Sequence, residues 1–188
     1  GGLESQSSYN VKIINNIIEA EGHRGIFAAY SDSAKIVNNH IESSSDGIYA
    51  FDSDNAQILG NTITAYRDGV TIDNASGSYI ADNTITGMYS SYYSDAILFH
   101  NAQNVIIENN FIYPNYGHAI YNSSSSSNNN NQIINNHIEY QSSNSSRIIE
   151  AYFTTVKGNY IKSSQSSNTI YGWGNDITEN EIYSNSSG

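Results

Sequence analysis

The sequence predicts an all-β fold, a single-stranded parallel solenoid of about eight coils with three short strands in each coil. An asparagine recurs at intervals of 21 to 27 residues, and an isoleucine stands two residues after each one. The recurring asparagines are Asn16, Asn39, Asn61, Asn83, Asn110, Asn136, Asn159 and Asn180. Such a period indicates stacked units, each of which buries a core only against its neighbours.

Each coil carries three hydrophobic positions, one for each predicted strand. The first lies three residues before the asparagine, as Ile13 does, and the second lies two residues after it, as Ile18 does. The third follows a small residue in "RGIF", "DGIY", "DGVT", "DAIL" and "HAIY". Its members are Ile26, Ile48, Val70, Ile97, Ile120, Ile149 and Ile170. Short β-branched runs between turns rich in Asn, Ser, Asp and Gly, with a single proline, exclude a helical solenoid.

Charge and composition narrow the classes of partner. The chain has 18 acidic and 7 basic residues, a net charge of −11, which argues against nucleic acid or an anionic membrane surface as the main partner. No apolar run is long enough to span a bilayer. The chain begins with Gly1-Gly2 in the middle of a coil. We therefore expect residues 1–188 to be one domain cut from a longer protein, with neighbouring domains or a homotrimer as its protein partners.

The run "NNIIEAEGHRGIFAAYSDSAKIVNNHI" and its successors resemble the right-handed parallel β-helix repeats of the pectate-lyase-like superfamily, over nearly the whole chain. This resemblance implies a right-handed parallel β-helix. It also implies action on, or binding to, polysaccharide, since the superfamily includes pectate lyases, polygalacturonases, mannuronan epimerases, phage tailspikes and archaeal surface proteins. A shared fold does not fix the chemistry, so the residues must decide the function.

The strand that follows the small residue predicts an outward row of side chains. Alternate residues of a strand point to opposite faces, so the residues one and three places after the third-ladder position face outward. Seven of these are aromatic, and flat rings suit the apolar faces of sugars. We assign substrate binding to Phe27, Tyr49, Phe51, Tyr121, Glu150, Tyr152 and Trp173. The alternative is that the rings stack across strands and stabilise the sheet.

A second column stands just before the same strand. Its members are Arg24, Asp46, Asp68, Asp95 and His118. Coil stacking places the three aspartates about 5 Å apart in succession. Stacked carboxylates repel, so the column predicts either a raised pKa for acid-base catalysis or a bound cation, and Ca²⁺ is the one cofactor that it suggests. The alternative is the ordinary turn chemistry of an aspartate before a glycine.

Two insertions suggest that the site lies at the middle of the outward row. Residues 87–94 and 140–146 lengthen turns beside the aspartate column, where loops on a rigid scaffold form the walls of a cleft. Asp73 and His100 occupy the same outward position on successive coils, and we expect them to hydrogen-bond as general acid and base. Asp46, Asp68 and Asp95 are further catalytic candidates, and Arg24, His118 and Arg147 are further substrate contacts. The polar tract 122–131 is expected to be a solvated loop.

The superfamily resemblance implies two reaction types. A lyase would use a basic residue, here Arg24, Arg67 or Arg147, to abstract a proton beside a uronate. A hydrolase would use paired carboxylates, 6.5–9.5 Å apart for inversion, a separation that Asp46 and Asp95 approach at about 10 Å by coil spacing. The leading hypothesis is an extracellular or cell-surface domain that binds and degrades a polysaccharide. The alternative is a non-catalytic structural or adhesive module.

Overall fold

The computed structural model describes residues 1–89, 94–123, 129–141, 147–164 and 169–184. Over these residues the chain forms 24 strands and no helix. Each strand pairs in parallel with its equivalent one coil away, which produces three sheets of eight strands. The predicted all-β parallel solenoid with three short strands in each coil is confirmed. In this described part of the chain, no helix offers the length and apolar character needed to cross a membrane.

The first sheet contains the strands that follow the small residues, and it carries the outward row. Its strands are β1 (Leu3–Gln6), β4 (Ile26–Ala29), β7 (Ile48–Phe51), β10 (Val70–Asp73), β13 (Ile97–His100), β16 (Ile120–Asn122), β19 (Ile149–Glu150) and β22 (Ile170–Tyr171).

The second sheet lies before the asparagine turn. Its strands are β2 (Lys12–Ile14), β5 (Lys35–Val37), β8 (Gln57–Leu59), β11 (Tyr79–Ala81), β14 (Ile106–Glu108), β17 (Asn131–Ile134), β20 (Thr154–Lys157) and β23 (Asp176–Thr178).

The third sheet follows that turn and leads back to the aspartate column. Its strands are β3 (Ile17–Ala20), β6 (His40–Ser43), β9 (Thr62–Ala65), β12 (Thr84–Gly87), β15 (Phe111–Pro114), β18 (His137–Tyr140), β21 (Tyr160–Ser163) and β24 (Glu181–Ser184).

The core is one continuous column of aliphatic side chains inside the three sheets. The register pairs each predicted hydrophobic position with itself on the next coil, as Ile26 with Ile48, and Ile149 with Ile170. The isoleucines at the three predicted hydrophobic positions are fully buried in the central coils. The small residue before the first sheet is needed for close packing, because a Cβ on Gly47 would lie 2.4 Å from Ile63 Cγ2 and 2.6 Å from the Gly69 carbonyl oxygen.

The recurring asparagines form a buried hydrogen-bonded ladder at the turn between the second and third sheets. The Asn110 Oδ1 atom accepts the backbone N–H of Asn83 at 3.0 Å and its Nδ2 at 2.9 Å, and Asn110 donates in the same way to Asn136. The residue before each ladder asparagine is left-handed, with φ of 54° at Asn38 and 63° at Gly60. Asparagine and glycine tolerate that conformation, which explains the recurring "NN" and "GN" pairs.

We expect Asn110→Ala to lower the free energy of unfolding by about 3 kcal/mol, because it leaves the buried Asn83 N–H without an acceptor. Asn16→Ala is the matched control. Asn16 begins the ladder and is the donor in both of its contacts with Asn39, so its loss should cost about 1 kcal/mol. Urea unfolding followed by circular dichroism measures both values. Equal losses in the two variants would contradict a ladder in which each side chain supports the coil before it.

Candidate functional site

A cleft of about 310 Å³ lies on the outward face of the first sheet, beside the aspartate column. It brings together part of the aspartate column and part of the outward row that the sequence singled out. Its lining consists of Arg24, Asp46, Tyr49, Arg67, Asp68, Thr71, Asp73, Leu98, His100, Tyr121 and Ser123. A volume of this size falls at the lower end of the range for small-ligand sites.

Strands β7, β10 and β13 place the outward row as predicted. Asp73 is in register with Phe51 on one side and with His100 on the other. The predicted hydrogen bond between Asp73 and His100 is nevertheless wrong. The Tyr49 hydroxyl reaches diagonally across one coil and donates to Asp73 Oδ2 at 2.8 Å, while His100 Nδ1 pairs with Ser123 Oγ at 2.5 Å. Burial, together with the hydrogen bond to Asp73, raises the pKa of Tyr49 to about 12.

The aspartate column is a connected chain of polar contacts. Arg24 Nε lies 2.9 Å from Asp46 Oδ2, and Arg67 lies 3.6 Å from Asp46 Oδ1 and 4.0 Å from Asp68 Oδ2. Asp68 Oδ1 accepts the backbone N–H of Asp95 at 2.8 Å. The column therefore joins neighbouring coils through polar contacts, and the backbone contact of Asp68 agrees with the alternative of turn chemistry.

Asp68 is also a titrating group. Burial, together with the nearby carboxylates of Asp95 and Asp46, raises its pKa to about 7, and the Asp95 N–H and Arg67 oppose this shift only in part. A carboxyl group with this pKa carries a proton in a large fraction of molecules at neutral pH. Asp68 can therefore donate a proton to a bound ligand.

The end of the column formed by Asp95 and His118 is held by hydrogen bonds and lies outside the cleft lining. The Asp95 Oδ1 atom accepts the His118 backbone N–H at 2.9 Å and lies 2.8 Å from the His118 ring Nδ1. Glu150 Oε2 lies 3.4 Å from His118 Nε2 and accepts from Arg147 at 2.7 Å. Burial raises the pKa of Glu150, but the hydrogen bonds from Tyr152 and Arg147 outweigh it and lower the pKa overall.

The predicted aromatic contacts divide into two groups. Phe27 stacks on Tyr49 at 5.6 Å, Arg24 covers the Tyr49 ring at 4.3 Å, and Tyr121 stacks on His118 at 4.8 Å. These ring faces contact other side chains, as the stacking alternative predicts. The rings of Phe51, Tyr152 and Trp173 are tilted against their neighbours, and Trp173 is 54% exposed. Trp173 remains a predicted sugar contact.

Sequence reasoning did not assign Thr71 to the site and considered Arg67 only as a lyase base. Arg67 directly precedes Asp68, so the aspartate column itself signals its position. Thr71 belongs to the outward row but is 7% exposed, and its Oγ1 atom has no hydrogen-bond partner. The centres of both predicted wall insertions, residues 90–93 and 142–146, lie outside the described residues.

The structure places no three His, Asp or Glu side chains of the described residues where they could hold a metal ion together. His40 and His137 each contact a single glutamate. His40 Nε2 lies 3.3 Å from Glu42, and His137 Nε2 lies 3.2 Å from Glu139, both on the third sheet. Calcium binding at the aspartate column stays a prediction.

Several solved structures share this architecture. The DFA-IIIase of Arthrobacter chlorophenolicus A6 without its lid superposes with a TM-score of 0.66 at 15% identity, over 95% of this chain and 51% of that chain. The A-module of the mannuronan C-5 epimerase AlgE4 of Azotobacter vinelandii gives 0.60 at 15% identity, over 98% of this chain and 63% of that one. The receptor-binding domain of the siphovirus 9NA tailspike gives 0.60 at 11% identity, over the whole of this chain and 49% of that one.

These likenesses establish the fold, and the chain spans about half to two thirds of the length of the structures that it matches. No curated protein matches the chain in sequence. Residues 24–187 match the family described as the right handed beta helix region. This match covers most of the chain and agrees with the parallel three-sheet coil, so the protein belongs to the right-handed β-helix family.

Proposed function

We propose that the chain binds a polysaccharide along the outward face of the first sheet and hydrolyses a glycosidic bond with Asp68 as the general acid. The observation that carries this proposal is the position of Asp68, a carboxyl group with a pKa of about 7, in the lining of the cleft. The fold likeness to DFA-IIIase, a mannuronan epimerase and a tailspike supports a carbohydrate ligand. A polymeric substrate also supports an extracellular or cell-surface location.

Asp46 is the natural partner of Asp68. The two residues precede equivalent strands of adjacent coils, so they are about 5 Å apart by coil spacing, close to the 5–5.5 Å typical of retaining glycosidases. As the glycosidic bond breaks, Asp68 would give its proton to the leaving oxygen, and the Asp46 carboxylate would stabilise the positive charge on the sugar. Water then adds to the sugar carbon and returns a proton to Asp68.

Hydrolysis is favoured over elimination because every candidate lyase base is engaged with carboxylates. Arg24 pairs with Asp46 at 2.9 Å, and Arg67 lies within 4.0 Å of both Asp46 and Asp68. Arg147 donates to Glu150, and this hydrogen bond raises the pKa of Arg147. Guanidinium groups beside carboxylates hold their protons and are poor general bases.

A non-catalytic adhesive module is the second candidate, and one observation favours it. Asp68 and Asp95 each accept a backbone N–H from the following coil, so both contribute to the scaffold whether or not they act on a ligand. Such a module would bind carbohydrate through the same face. Turnover by the wild-type chain, and its loss when Asp68 changes, separates the two functions.

Asp68→Asn should lower turnover by about 10²- to 10⁴-fold and leave polysaccharide affinity within about twofold, since the amide keeps the acceptor for Asp95 and loses only the proton. Asp54→Asn is the control, because Asp54 accepts the Ser76 backbone N–H at 2.7 Å in the same manner on an exposed turn. Release of reducing ends from a polysaccharide panel measures turnover, and affinity electrophoresis measures binding. Wild-type turnover in Asp68→Asn would rule out Asp68 as the acid. Wild-type binding without turnover would favour the adhesive module.

The titration of Asp68 should also affect how the free energy of unfolding depends on pH. Because burial raises its pKa from 3.8 to about 7, the folded chain binds this proton more tightly than the unfolded chain. The stabilisation is complete below pH 3.8 and is lost as the pH rises towards 7, so Asp68→Asn should flatten the fall in unfolding free energy across this range. Carbon-13 NMR of the carboxyl groups should show one midpoint near 7 that the variant lacks. A profile with every aspartate midpoint near 4 would contradict the assignment.

A further inference from the structure

The corner between the second and third sheets carries opposite charges on its two sides. On the second sheet, Lys12 pairs in register with Lys35, and both side chains point outward beside buried isoleucines. On the third sheet, Glu19 pairs in register with Glu42, again on the outward face. The segments "KIINNIIE" and "KIVNNHIE" encode this arrangement in the first two coils. We call the lysine pair the cationic flank and the glutamate pair the anionic flank.

An exposed apolar ridge lies between the two flanks. Ile14 on the second sheet is 41% exposed, and Ile17 on the third sheet is 79% exposed. The inward isoleucine beside each of them is buried, so the exposure does not come from a loosely packed first coil. Val37 and Leu59 continue the ridge in the second and third coils. An apolar strip with charged edges is typical of a protein interface.

The charges of the cationic flank are not neutralised within the chain. The three arginines and Lys157 each contact a carboxyl group. Among the described residues, no carboxyl group forms an ion pair with Lys12 or Lys35, although the chain has 18 acidic residues. Like charges on directly paired strands destabilise a sheet, so both flanks lower the stability of an isolated chain. Opposite charges placed against each flank would offset this effect.

The chain itself supplies both charges at matched positions. In the first two coils, each lysine lies four residues before the asparagine of the ladder, and each glutamate lies three residues after it. The two flanks are therefore level along the solenoid and at similar distances from the corner. A rotation about an axis that runs along the corner brings the cationic flank of one copy against the anionic flank of the next. In no coil do these two positions carry charges of the same sign, so this contact brings no like charges together.

We infer that this corner is an interface between parallel copies of the chain, with the cationic flank of one copy against the anionic flank of the next and the apolar ridges near the axis. The contact joins two different surfaces, and rotation about the corner closes it into a ring. A trimer is the smallest ring in which each copy offers its two flanks to two different neighbours. Pairing of either flank with itself is disfavoured because it sets like charges together. The first sheet and its cleft stay open, so the inference is independent of the proposed function.

Charge reversal tests the contact, with association measured by sedimentation equilibrium over a range of concentrations. Lys35→Glu and Glu42→Lys should each weaken association by about tenfold or more, since each sets like charges against one another across the interface. Both variants should remain folded in urea titrations, because each also replaces a like-charge pair within the chain by an opposite-charge pair. The double variant restores opposite charges across the interface and should recover association to within about threefold of wild type.

Lys162→Glu is the matched control. Lys162 occupies the position of Glu42 in a later coil, and that coil has the neutral Thr155 at the lysine position. Its reversal should leave association within about twofold of wild type. A wild-type chain that is monomeric at every concentration would overturn the inference. Association that both single variants leave unchanged would overturn it as well.

Carbodiimide cross-linking locates the interface. Unlabelled and nitrogen-15-labelled chains are mixed, cross-linked and analysed by mass spectrometry, so that links between copies are separated from links within one copy. The expected product joins Lys35 of one isotope to Glu42 of the other. Mixed-isotope links confined to other residues would overturn the placement of the interface at this corner. Neither readout uses a glycan, so a failure of the proposed function would not affect the result.

Discussion

The register between coils is the constraint on which the rest of the structure depends. Every strand pairs in parallel with its equivalent on the next coil, so each position of the repeat becomes a column along the solenoid. The asparagine ladder fixes this register at one turn, because each side chain satisfies the backbone N–H of the coil before it. A slip of one residue would expose the isoleucine core and break the ladder in the same step.

The same register gives the cleft its chemistry. Stacking brings Asp46, Asp68 and Asp95 close together, although carboxylates repel one another, and the protein offsets this with two arginines, backbone N–H groups and a proton held on Asp68. One carboxyl group with a pKa raised to about 7 and one arginine-paired carboxyl group therefore stand beside the cleft, and the proposed acid-base chemistry rests on this arrangement.

The sequence was sufficient to predict which residues stack in columns. It was insufficient to predict which side chains hydrogen-bond with one another. The hydrophobic ladders, the outward row and the neighbours Asp73 and His100 follow from strand alternation and a constant period. The pairing of Asp73 with Tyr49 does not, because a long side chain can reach diagonally to a different row. The tract 122–131 was predicted to be a solvated loop because it consists of Asn and Ser. The two ends of the tract differ from this prediction, since Asn122 and Asn131 are buried and lie in strands β16 and β17.

A crystal structure of the chain with a bound oligosaccharide tests the central claim most directly, namely that the functional residues lie where the aspartate column meets the outward row. We predict sugar density over strands β7, β10 and β13, with a glycosidic oxygen within hydrogen-bond distance of Asp68. Density confined to the second or third sheet would contradict the account.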